Sequence, residues 1–422
     1  MAISHLNKKK IFNDPIYGFI SIKFEIIFDI IEHPFFQRLR RIQQLGLTSY
    51  VFPGVNNTRF QHALGTTYLM NSAINVIREK GHEITEEEEE AANIAILLHD
   101  IGHGPFSHAL ENCIMDNISH EYISLLLMHE LNRQFNNRLS LAISIFEGKY
   151  KKNFLHQLVS SQLDMDRLDY LKRDSFYSGV TEGTIGSDRI IKMLNVVNDE
   201  LVIDEKGIYS IEKFLIARRL MYWQVYLHKT ALSAESLLIK LLRRAKYLAS
   251  QKADIFATPS LKFFLYSNIT KNDFNIKSNI SKNKVISNFI NLDDSDLLAS
   301  AKAWINSDDR VLSMLASNLI NRKLYKIELQ NDPFDKKRIN NLKEEIVKRY
   351  NISENEAEYF VFSDCVSNSF YNSNKDDDKI KVKYKNGKVL DIAIASEMLY
   401  LSALTTDYKK FFLCYPKELY EY

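Results

Sequence analysis

An apolar stretch, Ile94–Leu98, runs directly into a His99-Asp100 pair, and Ile101-Gly102-His103-Gly104-Pro105 comes at once after it. An imidazole and a carboxylate at the end of an apolar helix are costly to bury unless each is paired or bound to an ion. The chain must therefore fold so that something meets this pair. Two adjacent residues cannot complete a coordination sphere, so further ligands have to come from distant positions. Imidazole with carboxylate suits a divalent transition metal better than calcium or magnesium alone. Six of the 11 histidines (His62, His82, His99, His103, His108 and His120) fall between positions 62 and 120. Upstream, Arg59 and His62 stand three apart and share a face if that segment is helical. Downstream, Asp164, Asp166 and Asp169 load another segment, and Asp166, Tyr170 and Asp174 recur every four residues. Taken singly, each histidine reads as a packing residue and each aspartate as a surface charge. Taken together, His62, His99-Asp100 and Asp166 read as a metal centre.

The chain of 422 residues has only 13 Gly and 7 Pro, which favours long helices over many short strands. The spacing predicts a helix over 24–45, divided at Pro34, and another over 62–80 that stops at Gly81. Thr85 should cap a helix through Glu86–Glu90 to His99, with the glutamates as a solvated first turn suited to the helix dipole. Further helices are expected from Ser107, over 155–173 and, as one long rod, over 210–249, with a small hairpin over 201–209 turning at Gly207. Residues 254–285, rich in Asn, Ser and Lys, predict a boundary between a core over 1–250 and a C-terminal lobe over 251–422. That lobe should hold helices near 294–328 and 335–350. It should also hold a hairpin near 379–392, where Ile380, Val382 and Tyr384 alternate with lysines before Asn386-Gly387. Asp376–Asp378 lacks the spaced ligands of a calcium loop and reads as solvated. The expected fold is mostly α, with a smaller mixed α/β C-terminal lobe.

Formal charge is +2, from 55 basic and 53 acidic residues, which argues against a chain-wide grip on nucleic acid or membrane. Lys10, Arg38, Arg40 and Arg41 form a local basic set that suits either nucleic acid or a subunit interface. Cys113, Cys365 and Cys414 are too few and too scattered for a disulfide framework, which fits a reducing, cytoplasmic setting. The N-terminus lacks a secretory apolar run, and no stretch is long enough for a membrane helix. The absence of a G-x-x-x-x-G-K-[ST] loop argues against a P-loop enzyme.

The residues around the His99-Asp100 pair resemble a known family. His62, His99-Asp100 and Asp166 match the pattern of HD-domain metal-dependent phosphohydrolases. Around them, in order, stand Asn13–Gly18, Gln37–Arg40, Gln44-Leu45-Gly46, Tyr50–Gly54, Arg59–Gly65, His99–His108, Asp166–Tyr170 and Arg173-Asp174. This string is similar to the HD-domain deoxynucleoside triphosphate triphosphohydrolases, a family that includes vertebrate enzymes with a sterile-alpha-motif domain and their bacterial relatives. The resemblance is dense over about residues 10–230 and thin afterwards, and nothing corresponds to the sterile-alpha-motif domain.

The resemblance implies an HD-type helical core and hydrolysis of deoxynucleoside triphosphates to deoxynucleoside and inorganic triphosphate. It implies one divalent metal ion per subunit (Fe, Mn, Zn or Mg), held by His62, His99, Asp100 and Asp166. Arg59 and His103 would contact the α-phosphate region, and His108 would transfer a proton, supported by Glu111, His120 and Glu121. Gln44, Tyr170 and Asp174 would hold the deoxyribose 3′-hydroxyl, Arg218 a phosphate, and Tyr226 the sugar. Arg218, Tyr222, Tyr226 and Lys229 share a face if 210–249 is one helix, and Arg59, Arg167, Arg218 and Lys229 would offset the triphosphate charge. Arg167 stands where the family keeps a lysine, so charge is retained while a planar fork replaces an ammonium.

The resemblance also implies a GTP or dNTP activator between subunits of a homo-oligomer, dimer or tetramer, at Asn13, Asp14, Glu32, Arg40, Arg322 and Lys326. Relatives carry Asp where this chain has Glu32, and the plainer reading of Arg322–Lys326 is an amphipathic surface helix. Two alternatives remain open at this point. One is an HD phosphohydrolase acting on monophosphates, cyclic nucleotides or ppGpp; the other is a non-catalytic nucleotide sensor or nucleic-acid-binding scaffold.

Overall fold

The computed structural model describes residues 10–106, 113, 118–274, 283–368, 379–396 and 408–419. It opens on an antiparallel hairpin, β1 (Lys10–Asp14) and β2 (Gly18–Ile22). Pro34 divides the next helical run as expected. α1 (Glu25–Glu32) stops, His33 leaves helical backbone, and α2 (Pro34–Gln37) begins on the proline. The run then tightens into a 3-10 turn over Arg38–Arg41 and ends short of residue 45. Arg38, one of the cations considered for nucleic acid, is fully buried and cannot serve that purpose.

α3 (Arg59–Glu79) starts three residues before the predicted onset, behind a capping box of Thr58 and Gln61, and ends where Gly81 takes φ +90°. α4 (Glu86–Leu98) starts on the expected Thr85, with Glu88 completing a second capping box. Its glutamates are not all solvated. Glu88 and Glu89 are buried, because cations from distant segments reach them: Lys152 lies 2.7 Å from Glu88, Lys23 lies 2.8 Å from Glu89, and Arg78 also pairs with Glu89.

Next in order come α5 (His120–Gln134), α6 (Ser140–Phe146), α7 (Asn153–Val159) and α8 (Met165–Ser178). The single helix predicted over 155–173 is therefore two. Asp164 causes the break, accepting from Ser161 N at 2.9 Å and capping α8 through Arg167 N at 2.7 Å. The helix expected from Ser107 and the Asp376–Asp378 loop lie outside the described residues.

α9 (Ser187–Met193) leads into a hairpin of β3 (Leu194–Val197) and β4 (Glu200–Asp204). It lies earlier than predicted and turns at Asn198-Asp199, not Gly207. Both turn residues have positive φ (50° and 67°), the mirror-image turn that matches strand twist. The long rod predicted over 210–249 is interrupted. α10 (Ile208–Met221) passes into a π turn over Tyr222–Tyr226, and His228 caps α11 (Lys229–Ser250). No Gly or Pro marks this break in the sequence.

α12 (Pro259–Tyr266), α13 (Lys284–Ile290), α14 (Asp294–Trp304) and α15 (Arg310–Ile320) continue the chain. The helix predicted to 328 ends at 320. Arg322 takes φ +55° in a turn, and β5 (Lys326–Gln330) is extended, so Arg322–Lys326 is not an amphipathic helix. α16 (Lys336–Tyr350), β6 (Phe362–Asn368), β7 (Lys381–Lys383), β8 (Val389–Asp391) and β9 (Tyr408–Tyr415) complete the order. β7 and β8 form the hairpin read from Asn386-Gly387, with Gly387 at φ +83°. β7 also pairs in parallel with β4, giving one sheet in the order β3-β4-β7-β8, while β9 lies between β5 and β6 in a second sheet.

The fold is mostly helical, and a continuous apolar core runs from Ile20 to Leu419. Within it α3 packs against both α4 and α8, which decides where the site forms. Among the described residues no helix is long and apolar enough to cross a membrane. All three cysteines are free thiols.

Candidate active site

His62 sits on the first turn of α3, His99-Asp100 comes directly after the last residue of α4, and Asp166 lies on the first turn of α8. The packing of these three helices brings the set together. His62 Nε2 lies 3.0 Å from Asp166 Oδ1 and 3.8 Å from Asp100 Oδ2. His99 Nε2 lies 3.4 Å from Asp100 Oδ1 and 3.6 Å from Asp166 Oδ1. His62, His99 and Asp166 are close enough to share one ion. Among the described residues both Nε2 atoms are buried without a hydrogen bond. Buried ring nitrogens without hydrogen bonds, gathered around carboxylate oxygens, fit a divalent metal.

The other nitrogen of each ring is tied down. His62 Nδ1 lies 2.7 Å from Asp169 Oδ2, and His99 Nδ1 lies 2.6 Å from the Ile96 carbonyl. Such contacts fix the ring and leave Nε2 for a ligand role. Arg173 grips Asp169 through Nε at 2.8 Å and Nη2 at 3.0 Å, and donates Nη1 to Asp14 Oδ2 at 2.8 Å. Burial alone would lower His62, but Asp166 and Asp169 raise it to about 10. Asp166 is held well below the ordinary carboxylate range: burial opposes its charge, and His62 and His99 outweigh that opposition. A field that favours a proton on His62 favours a metal cation in its place.

Asp100 also pairs with Arg59 Nη1, and its Oδ1 lies 3.3 Å from His103 Nε2. His103 stacks on His120 with centroids 3.7 Å apart, and His120 Nε2 lies 3.2 Å from Glu121 Oε1. Burial and then the Arg59 charge push His103 down to about 3, so its ring is neutral. Asp100, His103 and His120 make a second grouping that could hold an ion. His108 and Glu111 lie outside the described residues.

Asp174 is buried on α8, two helical turns beyond Asp166. The Tyr226 hydroxyl donates to its Oδ2 at 2.9 Å, while Oδ1 is buried without a partner among the described residues. Burial pushes Asp174 up to about 7. Gln44 Oε1 is likewise buried without a partner among the described residues. Tyr170 meets Tyr226 edge-on at 6.1 Å, and Tyr226 meets Tyr222 at 5.5 Å. Arg218 Nη1 donates to Gln162 Oε1 at 2.8 Å, and Arg167 Nε donates to the Ser161 carbonyl at 2.7 Å. Burial lowers Arg218, and the nearby Arg167 adds to the effect.

The continuous face predicted for Arg218, Tyr222, Tyr226 and Lys229 does not exist. Arg218 is on α10, the tyrosines are in the π turn, and Lys229 is exposed at the start of α11. The π turn adds a residue to the helical repeat and so rotates Lys229 and the rest of α11 relative to α10.

Among the positions considered for an activator, Asn13, Glu32 and Arg40 are exposed, and Arg40 lies over the Phe60 ring at 3.6 Å. Arg322 Nε donates to the Tyr50 carbonyl at 2.8 Å, and Lys326 opens β5. Asp14 instead turns inward, with Oδ2 on Arg173 and Oδ1 accepting from Ile16 N at 2.9 Å and Tyr17 N at 3.1 Å. Sequence reasoning assigned no role to Asp169, Arg173 or Gln162. Asp169 was findable, since it lies three residues after Asp166 on one helix and so shares its face. Gln162 left no such signal.

A cluster of histidine and aspartate that could hold a divalent ion, set between packed helices, points to the class: an HD-type centre. The HD domain family matches residues 59–174, and the HD associated region matches residues 185–257. The chain belongs to the HD-domain phosphohydrolases. It is 30% identical over 429 residues to the uncharacterised protein YwfO of Bacillus subtilis (strain 168), covering 98% of this chain and 94% of that protein. It is 32% identical over 251 residues to the deoxynucleoside triphosphate triphosphohydrolase SAMHD1 homolog of Dictyostelium discoideum. That match covers 55% of this chain and 48% of that protein, so the chain spans about half the length of this relative. The crystal structure of a phosphohydrolase from Bacteroides thetaiotaomicron VPI-5482 is similar with a TM-score of 0.92 and 53% identity, over 97% of this chain and 100% of that one.

Proposed function

We propose that the protein hydrolyses deoxynucleoside triphosphates to the deoxynucleoside and inorganic triphosphate. The observation that carries this reading is on α8: Asp166, in the cluster that could hold an ion, and Asp174, whose Oδ1 beside Tyr226 has no partner among the described residues, share one helix. Metal and phosphate chemistry alone would not call for a buried hydroxyl reader, whereas a nucleoside with a free 3′-hydroxyl supplies the missing donor. The SAMHD1 relatives, named as deoxynucleoside triphosphate triphosphohydrolases, support the same substrate class.

His62, His99, Asp100 and Asp166 would hold one divalent ion (Fe, Mn, Zn or Mg). Such an ion, when bound, polarises a phosphoryl oxygen and acidifies water. The chain's own residues do the rest. Arg59, Arg167, Arg218 and Lys229 offset the triphosphate charge. Neutral His103 contacts the α-phosphate region. Gln44, Tyr170 and Asp174 receive the 3′-hydroxyl, and Tyr226 packs against the sugar. His108 transfers the proton to the departing oxygen, supported by Glu111, His120 and Glu121. Asn13, Glu32, Arg40, Arg322 and Lys326 take a GTP or dNTP activator between subunits of a homo-oligomer, whereas Asp14, turned inward onto Arg173, does not. Sizing the protein with and without nucleotide tests that last step; a monomer under both conditions defeats it.

The reaction is tested by incubating the protein with each dNTP and Mn²⁺ or Mg²⁺, with and without GTP, and separating products by anion exchange. Deoxynucleoside with triphosphate supports the reading. Monophosphate with pyrophosphate overturns its regiochemistry, and no turnover in any combination favours a nucleotide sensor.

A further inference from the structure

Leu292, Asp293 and Asp294 lead into α14, far along the chain from the metal-facing residues, yet they hold the segment just beyond Asp100. Fully buried Arg38 donates Nη2 to the Ile101 carbonyl at 2.8 Å and Nη1 to the Leu292 carbonyl at 3.4 Å, with its guanidinium 4.7 Å over the Phe289 ring. Asp294 Oδ1 accepts from the Phe106 N–H at 2.9 Å, and its Oδ2 accepts from the Gln43 N–H at 2.8 Å. The loop Ile101–Phe106, which carries His103, is thus held at one end through Arg38 and at the other through Asp294. Gln43 bridges to Thr58 just ahead of Arg59 and precedes Gln44, whose own N–H donates to the Asn57 carbonyl at 3.0 Å. One carboxylate therefore joins the His103 loop to the segment carrying Gln44.

Asp294 is not occupied in capping its own helix. Asp293 does that, accepting from Ser295 N at 2.9 Å, while Asp296 accepts from Asp293 N at 2.8 Å. Asp294 is 5% exposed, and among the described residues it forms no ion pair. A carboxylate in that setting is costly to bury unless it is well bonded, and two charge-assisted backbone bonds are what it has. Burial raises it to about 6, with the Gln43 and Phe106 bonds pulling the other way. Phe106 takes φ +47°, a conformation that a bulky residue seldom adopts unaided, and its N–H is the group Asp294 holds.

We propose that Asp294 is a positioning residue, which sets the Ile101–Phe106 loop against Gln43-Gln44 and so fixes His103 relative to Gln44. A segment remote in sequence thereby acts on the site through two backbone amides, without touching substrate. The rate part of this inference rests on the dNTP hydrolysis proposed above; the geometric part does not.

Asp294→Asn keeps the size of the side chain but turns one acceptor into a donor facing an N–H. Hydrogen exchange should quicken over residues 42–44 and 101–106, while bound metal per subunit stays at the wild-type level. kcat should fall about 10- to 100-fold, with KM changed by less than about three-fold. Asp293→Ala removes the helix cap and the Arg41 pair but neither bond to Phe106 or Gln43, and should leave exchange at 101–106 as in wild type. Should Asp294→Asn fail to fold, Asp294→Glu, with both acceptors on a longer arm, is read in the same way. Unchanged exchange at 101–106 overturns the proposal. So does equal loss of protection in Asp293→Ala, or quickened exchange with kcat within about two-fold of wild type. If wild type turns over no dNTP, the functional reading has failed, and the exchange measurements still decide the role of Asp294.

Discussion

His62 Nδ1 lies 2.7 Å from Asp169 Oδ2, and Asp169 is held in turn by Arg173, which also grips Asp14. The ring proposed as a metal ligand is thus oriented by a buried chain of charges reaching back to the N-terminal hairpin. Asp169→Asn should weaken divalent-metal affinity by about 10- to 100-fold. Metal analysis after dialysis against a graded chelator measures this, and wild-type retention would remove Asp169 from the role.

Gly65 passes so close to the same chain of charges that a Cβ there would fall on Asp169 Oδ1 and Arg173 Nη2, with Asp169 Cγ only 2.8 Å away. Both side chains are fully buried, and moving either would disturb its bonds to His62 or Asp14. Gly65→Ala should destabilise the fold by about 1–3 kcal/mol and reduce bound metal. Denaturant melts paired with metal analysis test both, and an unchanged midpoint would show that the two side chains can give way.

Among the described residues Asp174 Oδ1 is a buried acceptor without a donor, and Tyr226 holds the other oxygen at 2.9 Å. If a 3′-hydroxyl donates to Oδ1, wild type should prefer a dNTP over its 2′,3′-dideoxy analogue. Asp174→Asn should narrow that preference by about 10-fold or more. Equal loss on both substrates would assign Asp174 to structure instead.

Glu88 carries a pH prediction. Burial opposes its charge, but Lys152, the Tyr150 hydroxyl and the Thr85 N–H outweigh burial and hold it below the ordinary range. The unfolded chain, near 4.3, then binds the proton first as pH falls. The stabilisation is therefore present above about pH 5 and lost as pH drops through the depressed folded value. Glu88→Gln should be less stable than wild type by about 1–3 kcal/mol at neutral pH, with the gap closing below about pH 4. Melting curves across that range decide it; a gap constant with pH would mean the charge is not what matters.

Metal removal should lower the melting temperature and abolish turnover together. Returning Mn²⁺ to 100 times its dissociation constant should restore about 2.7 kcal/mol. His99→Ala and Asp100→Ala should lose bound metal and turnover in parallel. Full activity in a protein lacking both side chains would move the site elsewhere.

Much of this was legible in the residues. Pro34, Thr85, Gly81 and Asn386-Gly387 announced their turns and caps, because each acts on backbone within a few positions of itself. The set His62, His99-Asp100 and Asp166 was legible from the chemistry of an unpaired His-Asp at an apolar helix end, together with family resemblance. The π turn after Met221 was not, since Tyr222–Leu227 contains no Gly or Pro and its extra residue shows only where the helix meets its neighbours. The burial of Glu88 was hidden too, because its partner Lys152 lies 64 positions away.

Sequence alone determined the helix caps and turns set by Pro34, Thr85, Gly81 and Asn386-Gly387 and singled out the His62, His99-Asp100 and Asp166 residues as candidates, for those signals depend on side-chain type and near neighbours. Tertiary structure alone decided which charges are buried, which acceptors are left open and which distant carboxylate holds the His103 loop. Those outcomes depend on contacts between segments as far apart as Gln43 and Asp294, 251 positions, and no local pattern in a chain encodes a contact of that range.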